Sequence, residues 1–234
     1  LSDLIPPRNP FETSFEQLPD TLPIFPLTGV LLLPGGRLPL NIFEPRYLAM
    51  ISDALGGQRL IGMVQPKTSG GFAGDGMSEG GGPPPVQKIG CVGRISSFSE
   101  TGDGRILLTL QGLCRFAIED ELERAAGGYR LVRANYSRFR SDMQSNETTL
   151  DRPRLMTALK RFFSANNLAI DWKALEQLDD SALVGTISMV APLEPVEKQA
   201  LLEAEDGTMR GKLLIGLLES SVMVQSSDAR TPRH

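Results

Sequence analysis

Histidine is almost missing: among 234 residues the only one is His234, at the end, and Cys91 and Cys114 are the only cysteines. From so few ligands and bases no zinc site, Cys-His pair or Ser-His-Asp triad can be assembled, which excludes much enzymology. The chain has no Gly-x-x-x-x-Gly-Lys-Ser/Thr run and no Gly-x-Gly-x-x-Gly between a strand and a helix, so nucleoside-triphosphate and dinucleotide chemistry are unsupported. No catalytic residue, cofactor or metal is expected. No stretch reaches the roughly 18 consecutive apolar residues that a spanning helix needs, and residues 1–20 hold no apolar signal-peptide core, so a soluble, cytoplasmic protein without a membrane partner is expected. Positive charge is not in excess either. Lys and Arg number 24 against 28 Asp and Glu, a net charge of −4, which disfavours nucleic acid through bulk electrostatics.

What is present is an ordinary globular composition, 41% hydrophobic and 22% charged, on a chain long enough for two small domains. Residues 1–21 are Pro-rich and polar without a period and read as an arm. "LPIFPL" from Leu22 is a short strand whose prolines suit an edge or a bent barrel strand. "VLLLPGG" and "RLPLNIF" extend this strand pair. In "FEPRYLAMISDAL" the period turns helical, with Tyr47, Leu48, Ile51 and Leu55 on one face, Pro45 at the first helical position and Gly56-Gly57 as the stop. "LIGMV", Leu60 to Val64, is a continuous apolar run and reads as a central strand covered on both sides. The Gly-rich stretch within 66–85 lacks a phosphate-binding lysine and reads as a flexible loop.

Beyond it, "VQKIGCVGRISSFSETGDGRILLTLQGLCRFAI" reads as a long hairpin turning at Gly102-Asp103. An unbroken register places Phe98 on Leu107, Ser96 on Thr109, Ile95 on Leu110, Gly93 on Gly112 and Cys91 on Cys114. The two thiols are read as reduced and half-buried. The facing glycines strip one sheet face, which lets the strands bend or another backbone approach. "YRLVRANYSRFR" is a last strand, which brings the count to about six in a small open barrel. From Asp151, an N-cap, the period is helical. Leu155, Met156, Leu159, Phe162 and Phe163 share a face, as do Leu183, Val184, Ile187 and Val190, and then Leu213, Leu214, Leu217 and Leu218. The division expected is arm 1–21, β-barrel 22–145 with loop 66–85, helical subdomain 150–224 and disordered tail 225–234.

The stretches "LPIFPLTGVLLLPG", "LPLNIFEPRYLAM", "IGCVGRI", "DGRILLTLQGLCRF" and "SALVGTISMVAPLEPVEKQALLEAED" together resemble the N-terminal domain of the ATP-dependent Lon proteases. The resemblance runs from Leu22 to about Val224 and extends to stand-alone bacterial proteins made of that domain only. It implies an α+β fold, a PUA-like β pseudo-barrel followed by a C-terminal α-helical bundle subdomain. It also implies substrate recognition and assembly, not peptide-bond hydrolysis. The Gly-rich insertion is longer than the loop of that pattern, and the arm is an addition to it.

Leu31, Leu32 and Leu33 are consecutive, so in an extended chain Leu32 points away from its neighbours. Leu32 and Pro34, on an open apolar barrel face, together with Phe72 and Met77 in the Gly-rich loop, are the candidate protein-binding residues. The function expected is non-enzymatic binding of unfolded or exposed apolar polypeptide segments, or of a protease or adaptor partner. The alternative is a PUA-like RNA binder using Arg130, Arg133, Arg138 and Arg140 interleaved with Tyr129, Tyr136 and Phe139. "NIFEPRY" reads as structural, with Glu44 at the helix start and Arg46 tying the helix to the barrel.

Overall fold

The computed structural model describes residues 13–67, 84–144 and 148–228, the last five of these as helix backbone only. Six strands form one mixed sheet: β1 (Thr21–Pro26), β2 (Arg37–Ile42), β3 (Leu60–Val64), β4 (Ile89–Glu100), β5 (Ile106–Glu121) and β6 (Arg130–Asn135). Their order is β2-β5-β4-β3-β1-β6, and β5 also pairs with β6, so the sheet closes on itself and β2 overhangs on the outside of β5. The first strand is not an edge: it lies parallel to β3 and antiparallel to β6. Helix α1 (Pro45–Gly56) connects β2 to β3, and α2 (Arg152–Ala165), α3 (Trp172–Glu176), α4 (Asp180–Val190), α5 (Pro195–Glu203) and α6 (Gly207–Asp228) follow the sheet. The "LIGMV" strand is buried along its whole length, as its composition requires.

Two hydrophobic clusters flank the sheet. Leu22 and Ile24 of β1, Leu60 of β3, Val92 of β4, Phe116 of β5 and Val132 of β6 all belong to the smaller cluster. Every strand of the closed ring contributes to it, so it is the barrel interior. The larger cluster joins the outer face of the sheet to α1 and to the helical half, through Phe25, Leu33, Met50, Leu159, Ile187 and Leu214.

The register of the long hairpin is broken twice, and the break at Leu113 moves the even-numbered side chains of β5 from the outer cluster to the interior. The middle pairs, Gly93 with Gly112 and Ile95 with Leu110, stand as the sequence predicts, but Phe98 faces Leu108, Ser97 faces Thr109 and Cys91 faces Arg115. The turn is the reason at the tip. Gly104 adopts φ 80° and its amide donates to the Thr101 carbonyl at 3.1 Å, while the Thr101 amide donates to Arg105 at 2.9 Å. That is a three-residue loop with a left-handed glycine, one residue longer than a Gly-x turn. Bulges at Ser96 and Leu113 then shift the ladder and shift it back. Each bulge turns the side chains beyond it to the other face. Leu110 therefore packs in the outer cluster and Phe116 in the interior. Cys91 and Cys114, both buried and free, lie in different clusters.

Val30–Gly36 is not a strand. Gly29 and Gly35 take φ values of 72° and 77° at its two ends, and the Leu33 carbonyl accepts from Gly36 at 2.9 Å, so the segment is an irregular link. It lies on the sheet where the facing glycines leave room: a Cβ on Gly112 would fall on the Leu33 carbonyl and one on Gly93 would meet the Leu32 side chain at 2.7 Å.

The helices begin where short carboxylates cap them. Asp151 accepts from the Arg154 amide at 3.1 Å, Asp171 from Ala174 at 3.1 Å and Asp179 from Ala182 at 2.7 Å. Two buried polar clasps hold the helical half to the sheet. Arg115 of β5 is 2% exposed; it binds Asp142 through two nitrogens at 2.8 and 2.7 Å and donates to the carbonyls of Leu202, Ala204 and Glu205 between α5 and α6. Gln65, after β3, donates to the Pro195 carbonyl at 3.0 Å and to Gln199 at 3.3 Å, and Gln199 donates to Ile89 at 3.1 Å. Val190, expected on the apolar face of α4, is 58% exposed.

Candidate functional site

The overhang of β2 opens a cleft. One wall is β2 itself, Leu38 to Ile42, continued by Phe43; the other is the end of β1 and the turn after it, Phe25 to Val30, with Tyr47 of α1 and Pro66 closing the ends. Its volume is about 530 Å³, within the range of sites that take a small ligand or a few side chains. The strand alternates because its outer residues face water and its inner ones face the cleft: Arg37, Pro39 and Asn41 are exposed, Leu38 and Leu40 half-buried, Ile42 buried. Apolar surface does not stop at the cleft. Phe43 is 61% exposed, and Phe98 and Leu107, on the neighbouring hairpin, 48% and 47%. The Arg105 guanidinium lies 5.7 Å from the Phe43 ring centroid and orients it. Among the described lining residues Glu44 is the one charged side chain, and Arg46 holds it at 2.9 Å.

The candidate residues fare differently from what the sequence suggests. Leu32 is 1% exposed and fills the hollow over Gly93 and Gly112, so it is core and not an open face. Pro34 sits half-buried in the turn with Gly35 and does not line the cleft. Phe72 and Met77 lie outside the described residues. The residues that do form the surface, Leu38, Leu40 and Phe43, carry a signal in "RLPLNIF", an alternation next to a bare phenylalanine, but nothing in it distinguishes a cleft wall from core. Arg46 and Tyr47 fit the structural reading: the guanidinium stacks 4.6 Å from the Tyr47 ring, and Tyr47 is buried.

The basic stretch gives no nucleic-acid face. Arg130 is buried and binds Glu121 at 2.6 Å, Arg133 faces Asp120 at 3.7 Å, and Arg140 binds Glu16 at 2.6 Å. Tyr129, Tyr136 and Phe139 are buried, so none of the three offers a platform for bases, and the chain beyond Asn135 is a 3-10 turn instead of strand. The RNA-binding alternative is therefore dropped.

Neither thiol is prepared for nucleophilic chemistry. Burial pushes the Cys114 thiol up to about 12 and raises Cys91 well above its usual range. Tyr129 rises to about 12, first through burial and then through its 2.7 Å bond to Asp53. Among the described residues no group of histidine, cysteine and carboxylate ligands could hold a metal, and no helix is long and apolar enough to cross a membrane.

A second cleft, of about 500 Å³, lies between α2 and the end of α6, bordered by the Arg154–Glu219 pair and by Met223, which is 71% exposed.

Comparison with known proteins places this architecture. The Lon protease 2 of Myxococcus xanthus is 27% identical over 215 residues, which cover 87% of this chain and 24% of that protein. The Lon protease of Flavobacterium johnsoniae is 32% identical over 120 residues, 51% of this chain and 14% of that protein. The chain thus spans about a quarter or less of these relatives. The crystal structure of a Lon N-terminal domain protein from Xanthomonas campestris covers 84% of this chain and 97% of its own, with a TM-score of 0.57 at 22% identity. The N-terminal domain of the Mycobacterium avium complex Lon protease gives 0.56 at 17% identity. The family model of the ATP-dependent protease La (LON) substrate-binding domain matches residues 21–220, and the chain belongs to that family.

Proposed function

We propose that this chain is a non-enzymatic substrate-recognition module that binds exposed apolar segments of unfolded polypeptides in the cleft between β1 and β2, for delivery to a protease or adaptor partner in the cytoplasm. One observation carries the reading: an open apolar cleft, bordered by an exposed phenylalanine, on a chain of a substrate-binding domain family. On this reading the closed sheet is a PUA-like pseudo-barrel acting as a scaffold, and the helical bundle behind it holds the scaffold rigid. The matched relatives are named as proteases, but the part of them that this chain matches is the substrate-binding domain.

The test is a titration of the protein into a fluorescently labelled, reduced and carboxymethylated polypeptide, followed by anisotropy. Phe43→Asp and Leu40→Glu should each weaken binding by about tenfold, the loss expected when one apolar contact of this size is replaced by a charge. Met223→Asp, on the second cleft, should leave affinity unchanged, and moderate salt should change it little. Loss of binding in Met223→Asp with none in Phe43→Asp would move the site to the helical half and sink this assignment.

A further inference from the structure

Among the described residues strand β2 has a neighbour on one side only. It pairs with β5, and among the described residues no strand lies beyond it. The Gly112 amide donates to the Gly36 carbonyl at 2.9 Å, and the register runs on unbroken from Arg37 on Gln111 to Ile42 on Ile106. Antiparallel pairs alternate between bonded and non-bonded positions. Residues of the same parity as Gly36, namely Leu38, Leu40 and Ile42, therefore turn their backbone groups to β5. Arg37, Pro39 and Asn41 turn theirs to the open edge. Pro39 is tolerated there because its missing N–H takes nothing from the ladder. The edge thus offers the carbonyls of Arg37, Pro39 and Asn41 and the amides of Arg37 and Asn41.

The same strand is one wall of the apolar cleft. Unpaired backbone groups beside an apolar trough are what an added strand uses, the first for affinity and the second for selecting alternate side chains. We infer that an extended, uncharged polypeptide segment binds by adding as a strand to the free edge of β2, its alternate side chains entering the cleft beside Leu38 and Leu40. This rests on the polypeptide-binding reading above and gives it a geometry.

Charge selects the occupant. Glu44 in the lining is already paired with Arg46, so a phosphate or a strongly charged segment finds no free counter-charge in the trough. A helix has its backbone groups bonded internally and leaves the edge unpaired. An uncharged strand matches both the edge and the trough. Because Pro39 interrupts the row of donors, only the amides of Arg37 and Asn41 reach the guest's carbonyls, which limits the registers available.

The test uses overlapping peptides of about seven residues, the length of an ordinary strand, drawn from the unfolded polypeptide that the protein binds. The tightest binder is remade in two forms, with alternate backbone amides N-methylated, odd positions in one and even in the other. An added strand turns one parity of amides to β2, so one form should lose about tenfold or more in affinity while the other stays within about twofold. Equal affinities for the two forms, with the parent peptide binding, overturn strand addition and leave the recognition reading standing. Failure of every peptide and of the unfolded polypeptide to bind overturns both. Sedimentation is run alongside: a dimer that the peptide does not dissociate would give the edge to a second copy of the chain and also overturn the inference.

Discussion

Arg115 is the residue on which most of the architecture converges. Its guanidinium is paired with Asp142, covers the Phe139 ring at 4.8 Å and bonds the carbonyls between α5 and α6. A buried pair of this kind adds little over apolar packing, but removing one partner strands a charge. Arg115→Ala should therefore cost about 3–5 kcal/mol in urea denaturation, and a cost under about 1 kcal/mol would mean that Asp142 finds water or another cation. The buried thiols give a second check. With Cys114 pushed up to about 12 and burial raising Cys91 well above the usual thiol range, iodoacetamide at pH 8 should label neither until the protein unfolds. Tyr129 gives a third. Its folded value is raised from an ordinary 10.0 to about 12, so its contribution is complete below about pH 10 and is lost as pH rises from there through 12. Asp53→Asn should shrink that alkaline loss, read as denaturation midpoint against pH. Of these roles only the reduced state of the thiols was legible beforehand; their complete burial and the parts played by Arg115 and Tyr129 were not. Arg115 in "LCRF" looks like any strand cation, and only the fold brings Asp142 and the α5–α6 carbonyls to it.

At the scale of elements, the helices were more legible than the sheet. Asp151 reads as an N-cap and caps by a local bond, and Asp171 and Asp179, which are not read as caps, do the same. The central strand at Leu60 also followed from composition alone. The hairpin shows where such reading fails: "TGDG" contains two candidate turns, and the choice of the three-residue loop changes every pairing near the tip. The bulges at Ser96 and Leu113 have no sequence mark, and the one at Leu113 answers to the demand for β5 side chains on two opposite core faces. "VLLLPGG" misled in a similar way, because three leucines in a row look extended, whereas the hollow over Gly93 and Gly112 takes them in as an irregular link. That hollow has a measurable consequence. Gly112→Ala places a methyl on the Leu33 backbone carbonyl and should lower stability by about 1–3 kcal/mol or more, as overpacking does. The effect should reach the cleft, whose far wall ends at Val30, as weaker peptide binding in the still-folded variant.

For the whole molecule, the outer hydrophobic cluster runs without interruption from Phe25 of the sheet to Leu218 of α6. Arg115 and the Gln65–Gln199 pair tie the same halves together with polar bonds. Sheet and helices should therefore unfold together: fluorescence of Trp172, the only tryptophan, reports the helical half and should share one urea midpoint with far-UV dichroism. Separate midpoints would show the halves to be independent. This union leaves the β2 overhang as one place where apolar surface stays open, and polypeptide recognition there is the central claim. Its most direct test is a photo-crosslink: benzoylphenylalanine is placed at Phe43 in one protein and at Met223 in another, each is irradiated with a labelled unfolded polypeptide, and the adducts are sequenced by mass spectrometry. Crosslinking from position 43, competed away by unlabelled polypeptide and nearly absent from position 223, is the expected result. Adducts from 223 with none from 43 would contradict it.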